Sequence, residues 1–250
     1  MAKKLNSASR LSSVFEQANS IVDNIQTLDA WAKLLNIDEV NPNKRVILVG
    51  EQIHAMYSEL ELIVHGMEAA NITKSIYEND IERVRHALSP MLLPSTWNNV
   101  KQYLAADVLK SFAYCSEILP DEESQISSED IQEIKQRVGE LKTCLDDNSL
   151  PPRLRNLIEH HIALIERALL EYPIAGAKVF REAGRTALGE LIEAKDEIAP
   201  ARDTEAVSRL NEIWNKVNKA VDTAIKTEKI AQIGQKAWEA ISNIYETLGQ

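Results

Sequence analysis

Residues 154–170 read LRNLIEHHIALIERALL, with Leu154, Leu157, Ile158, Ile162, Leu164, Ile165, Leu169 and Leu170 as the apolar positions. Steps of three and four between them lay an apolar stripe along one side of a helix, which turns once every ~3.6 residues. A half-buried strand would alternate at every second residue instead. Pro151 and Pro152 stand before the stripe, and proline suits a helix's first turn because that turn has no use for the missing N–H. Pro173 stands after it and predicts an interruption there.

The same period runs outward in both directions. Leu11, Val14, Phe15, Ala18, Ile21, Val22, Ile25 and Leu28 predict a helix over residues 11–35, broken by Asn41-Pro42. Val46-Ile47-Leu48-Val49 would suit a short buried strand, but nothing else in the chain can pair with it, so residues 46–65 read as helix. Residues 71–88 and 97–118 add two helices, with Ser95 as the N-cap of the second. Ser127 and Asp130 have the spacing of a helix start, and that helix runs to about residue 145. Beyond Pro173 another helix extends to about residue 198, before Pro200. Residues 203–248 hold no Pro and only Gly234, so they predict a long C-terminal helix with Val207, Leu210, Ile213, Trp214, Val217 and Val221 inward. At ~1.5 Å per residue it would approach ~70 Å, longer than a domain of this size. It is therefore expected to project from the body or to break at residues 227–234.

Composition agrees with a helical reading. The chain has 250 residues, 44% of them hydrophobic, with 8 Gly and 8 Pro, about half the usual usage. So few turn formers cannot supply the turns of a sandwich, barrel or propeller. The expected fold is all-α: an irregular multi-helix bundle of about eight helices, with an N-terminal lobe over residues 1–119, an acidic linker over 120–128 and a C-terminal lobe over 129–250.

The formal charge is −10, and residues 117–150, with 10 acids and 3 bases, carry −7 of it. An acidic chain lacks the Lys/Arg surface that displaces counterions from nucleic acid, and it is repelled by anionic membranes. The acidic middle is the expected surface for a basic partner. No apolar run is long enough to span a bilayer, and the basic start has no apolar stretch after it, as a signal peptide would. Cys115 and Cys144 stand far apart and outside any C-x-x-C pair, in keeping with reduced thiols and a cytoplasmic location.

The sequence contains no P-loop, no G-x-G-x-x-G and no G-x-S-x-G, and no cofactor is expected. Glu51 and His54 have the Glu-x-x-His spacing of di-iron bundles, but no second copy follows. His54 and His65 share a helix face at a rise of about 16 Å, too far apart for one ion. Glu61 and His65 are an i,i+4 surface pair. No metal site is expected. Lys178, Arg181 and Arg185 line up along one helix and would suit an anion, but Glu182 and Glu190 nearby predict a solvated ion-pair face instead. Trp31, Trp97, Trp214 and Trp238 are scattered, as core or interface anchors would be.

Arg155-Asn156, followed at position 160 by His160, resembles the motif of the HEPN ribonucleases, an Arg commonly followed by a polar residue with a His after four to six intervening residues; that family is all-helical, intracellular and often dimeric and includes toxins of toxin–antitoxin and defence systems. The resemblance implies that Arg155 steadies a scissile phosphate, His160 handles the 2′-hydroxyl proton and Asn156 orients them. Residues 150–184 as a whole are similar to uncharacterised all-helical bacterial proteins with no assigned activity. Two expectations therefore stand side by side. One is a non-enzymatic interaction or regulatory subunit of a cytoplasmic bacterial complex in phage defence or a toxin–antitoxin pair, binding a protein partner or a second copy of itself. Its contact surface is the tail, through Trp238, Ile241 and Tyr245. The other is a metal-independent endoribonuclease acting on RNA through Arg155 and His160.

Overall fold

Ala8, Leu11, Phe15 and Ala18 are all fully buried, and this stripe makes helix α1 (Ser7–Ala18) the centre of the N-terminal part of the chain. The computed structural model describes residues 4–145, 150–194, 198 and 204–225. Among them are ten α-helices and no strand, only the isolated bridges Gln26 to Thr96 and Glu123 to Ile225. The chain divides into two compact units: residues 1–122 with 173–176, and residues 123–172 with 177–250.

In the first unit α1 packs against α3 (Pro42–Ala69) and α6 (Ala106–Ile118), with α2 (Thr27–Leu34), α4 (Glu78–Ala87) and the four-residue α5 (Asn98–Lys101) around them. Asn6 caps α1 reciprocally. Its side chain accepts from the Ser9 N–H at 3.1 Å, and the Ser9 hydroxyl accepts from the Asn6 N–H at 2.9 Å. Phe15 meets Phe112 edge-on at 5.6 Å, and Trp31 meets Trp97 likewise at 5.1 Å. Asn41 caps α3 and Pro42 opens it, so Val46–Val49 is helical; Val49, Ile53, Met56, Leu60, Ile63 and Met67 form its buried stripe.

The continuous helix expected over residues 11–35 is two helices. After Ala18 the backbone leaves the helix, and its amides and carbonyls pair across the unit: the Trp97 N–H donates to Ile25 O at 2.9 Å, Thr27 N–H to Ser95 O at 2.8 Å, and Leu28 N–H to Leu93 O at 3.1 Å. Asn19, Ser20, Asp23 and Asn24 compete with the helical backbone for hydrogen bonds, so these non-local bonds win. Ser95 accordingly caps nothing, and its hydroxyl donates to Leu92 O at 2.7 Å. The helix expected over residues 71–88 starts only at Glu78, because Asn71 takes a left-handed conformation (φ 56°) that stops α3. The helix expected over residues 97–118 breaks at the extended Ala105 into α5 and α6.

In the second unit α7 (Ser128–Cys144), α9 (Lys178–Glu193) and α10 (Glu205–Ala224) pack together with the Pro152–Tyr172 part of α8 (Pro152–Ala175). Ser127 caps α7 by accepting from the Asp130 N–H at 3.0 Å. Ion pairs run along the α7–α10 contact: Arg137 to Glu212 at 2.8 Å, Arg209 to Glu140 at 3.0 Å, and Lys216 to both Asp130 at 2.7 Å and Glu133. Pro173 does not interrupt α8. It sits in the last turn, and the helix ends two residues later at Gly176, whose φ of 76° is a left-handed stop.

The long C-terminal helix is present as α10, with Val207, Leu210, Ile213, Trp214, Val217 and Val221 buried as expected. It ends sooner than residues 227–234, where the break was expected. Ile225 is already extended and pairs with Glu123, while the Ser124 N–H donates to Ala224 O at 2.6 Å. Residues 227–234 and the expected contact residues Trp238, Ile241 and Tyr245 lie outside the described residues.

The division between the units at residues 122 and 123 falls inside the stretch expected as the acidic linker, 120–128. Within the first unit Glu122 pairs with Arg10 at 2.8 Å; within the second, Glu123 accepts from the Ala177 N–H at 2.7 Å and Ile126 is buried. Arg10 is only 5% exposed and also holds Glu59, 1% exposed, at 2.9 Å and Ile174 O at 3.1 Å. That last bond ties residues 173–176 to the first unit.

Candidate functional site

His160 and His161 are neighbours on α8, about 100° apart around its axis, and both reach the same carboxylate on α9. His160 Nε2 stands 3.0 Å from Glu190 Oε1, and His161 Nε2 stands 3.3 Å from Glu190 Oε2. The two rings differ in surroundings. His160 is 53% exposed, whereas His161 is wholly buried against Trp214 of α10, the ring planes nearly perpendicular at 83°.

The Trp214 indole settles the His161 tautomer. Its Nε1–H donates to His161 Nδ1 at 3.2 Å. An indole nitrogen is a donor only, so Nδ1 must carry a lone pair, and the single proton of the neutral ring lies on Nε2, which stands near Glu190 without a hydrogen bond to it. Burial first, and the charge of His160 second, push the His161 imidazole down to about 4. The ring is therefore neutral at physiological pH. The Nε2 proton also occupies the position a metal ion would need. Ligation through Nε2 would require moving that proton to Nδ1, against the indole N–H. Among the described residues no group of three or more His, Cys, Asp and Glu side chains is placed to hold a metal.

Arg155 and His160 are five residues apart on α8, about 140° around the axis, and the structure sends them to different neighbours. Arg155 donates to Leu145 O at the end of α7 and lines a groove with Lys142, Leu145, Glu159, Ile162, Ala163 and Glu166. His160 faces α9. Asn156 is exposed. One copy of the chain thus does not bring Arg155, Asn156 and His160 together around a common point. The sequence pattern did not reveal Glu190 or Trp214 as the partners of this pair. The one available signal was two adjacent histidines on an amphipathic helix, of which one must turn inward.

At least half of the ten acids of residues 117–150 make bonds within their own units. Glu122, Glu123, Asp130, Glu133 and Glu140 all have partners within their own units. Lys216 holds the Asp130 and Glu133 carboxyls below the usual range through hydrogen bonds. Both cysteines are unbridged; burial pushes the Cys115 thiol up to about 11 and raises that of Cys144. No helix among the described residues is long and apolar enough to cross a membrane. Compared with protein-family models, curated proteins and solved structures, the chain matches none.

Proposed function

We propose that this chain is a non-enzymatic helical interaction subunit. One observation carries the reading: most ion pairs among the described residues join neighbouring elements within one unit. The Arg10–Glu59–Glu122 cluster and the α7–α10 ion pairs hold helices together. Apolar surface is left in water at the start of α3, where Val40 is 93% exposed and Val46 and Ile47 are also exposed. These three apolar residues stand within eight positions of one another, and a protein contact there would bury them. We assign this face to self-association, with a second copy of the chain as its partner. The narrower assignment, to a cytoplasmic bacterial defence or toxin–antitoxin complex, is supported by the resemblance of residues 150–184 alone.

Light scattering over a wide concentration range tests the proposal. The wild type should pass from monomer to dimer, and Ile47→Asp should remain monomeric with unchanged circular dichroism. A wild type that stays monomeric at every concentration overturns it. The ribonuclease alternative is supported by Glu190, which orients His160 as an acid–base partner would. It requires Arg155 and His160 of different copies to meet. Comparing RNA cleavage by the wild type and His160→Ala decides it, since equal cleavage removes the nuclease reading.

A further inference from the structure

The turn that opens α3 leaves apolar side chains uncovered, and its geometry shows why. The Asn41 side chain accepts from the Asn43 N–H at 3.0 Å and from the Lys44 N–H at 3.2 Å, and the Asn41 N–H donates to Glu39 Oε1 at 2.8 Å. Val40 stands just before this cap. An apolar residue in that position often packs against the fourth residue of the helix. In α3 that residue is Arg45, whose guanidinium lies 2.9 Å from Asp29 of α2. Val40 is left 93% exposed, and Ile47 is 59% exposed.

Residues 38–47 carry two acids and two bases. Glu39 is taken up by the turn and Arg45 by Asp29. Asp38 and Lys44 remain. Both are exposed, and among the described residues neither side chain makes a hydrogen bond or an ion pair, with each other or with anything else. Asp38 is two residues from Val40 in the chain, and Lys44 is three residues before Ile47, the spacing that makes two side chains neighbours on a helix surface. One bare acid and one bare base thus accompany the same bare apolar residues.

We propose that a second copy of the chain covers this tip across a two-fold axis, with Val40 and Ile47 against their counterparts and Lys44 of each copy against Asp38 of the other. The second copy is chosen on charge. Across a two-fold axis a surface meets itself, so a patch whose free charges had one sign would repel its own copy. A patch with one free acid and one free base, too far apart to pair within the chain, is complementary to itself. It offers no net charge to a strongly acidic or basic partner. The inference rests on the self-association reading above and adds which residues meet.

Sedimentation equilibrium of the full chain tests this pairing, using Asp38→Lys, Lys44→Asp, the double variant and an equimolar mixture of the two single variants. Each charge pair occurs twice in a two-fold dimer, and either single substitution turns both pairs from attractive to repulsive. Each single variant should therefore dimerise at least about tenfold more weakly than the wild type. The double variant restores both pairs with their signs exchanged and should recover wild-type association. The mixture should recover it too, because one copy of each single variant makes both pairs attractive. Both positions are exposed, and Lys44→Asp places an acid in the first turn of α3, where the helix dipole favours it, so weaker association does not report unfolding. Two results would overturn the pairing: single variants that associate as the wild type does, or a double variant and a mixture that both fail to recover. If Ile47→Asp still breaks the dimer in those cases, the self-association reading stands and only the pairing falls. A wild type that stays monomeric at every concentration removes both.

Discussion

Acid should unlock the second unit at His161. The buried ring accepts from the Trp214 indole at Nδ1 and carries its one proton on Nε2. A second proton must go to Nδ1, where the indole N–H already points, so protonation breaks that bond and places a charge on a wholly buried ring. The imidazole falls from an ordinary 6.5 to about 4. The sign follows from linkage. In the unfolded chain the ring takes up its proton near 6.5, and in the folded chain only near 4, so between these values the unfolded state binds more protons. The contribution is whole above pH 6.5, falls as pH drops toward 4, and is gone below that. A shift of this size is worth about 3 kcal/mol, at about 1.4 kcal/mol per pH unit. His161→Gln cannot titrate. Hydrogen exchange of α8 and α10 amides, followed from neutral pH down to about 4, should show wild-type protection falling by about 3 kcal/mol relative to the variant. Parallel curves for the two proteins would refute the reasoning. They would mean that Glu190, 3.3 Å away, compensates the added proton and that burial does not set the ring's behaviour.

Other perturbations address the rest of the fold. Arg10→Ala leaves Glu59 buried without its cation and should destabilise the first unit by about 3–5 kcal/mol in urea unfolding; Arg10→Met with Glu59→Gln should recover much of that loss. A Cβ at Gly139 of α7 meets nothing within 4 Å, so Gly139→Ala should stabilise by up to about 1 kcal/mol through helix propensity. Gly66→Ala in α3 drives a Cβ into the Leu119 side chain, and thermal melts should show a net loss of about 1–2 kcal/mol unless Leu119 finds another rotamer.

Much of the architecture was written in apolar spacing. The stripe on α10 lies where the period of three and four puts it, and on α8 Leu154, Ile158, Ile162 and Ile165 of the expected stripe are buried, because burying an amphipathic face is a local pattern with a global reward. The helix start at Ser127 was equally legible, since a cap is chemistry between residues two or three apart, whereas Asn41-Pro42 read only as a break although α3 begins there. Helix ends were not. The break after Ala18 depends on residues 93–97, and the stop at Ala224 coincides with backbone pairing to residues 123–124, partners that no local window contains.

The candidate sites divide along the same line. That α8 carries two adjacent histidines and α9 a row of basic residues could be read directly from the chain. Which histidine is neutral and which carboxylate answers it were decided by tertiary structure. Glu190 is a near neighbour of Arg185 in sequence, yet α8 delivers His160 and His161 to it first. Arg10 and Glu59 are 49 positions apart, and packing α1 against α3 makes them an ion pair. Periodicity specifies which face of a helix is buried, but the chemistry of a side chain depends on what the opposite helix presents to it. That is settled only when the helices pack.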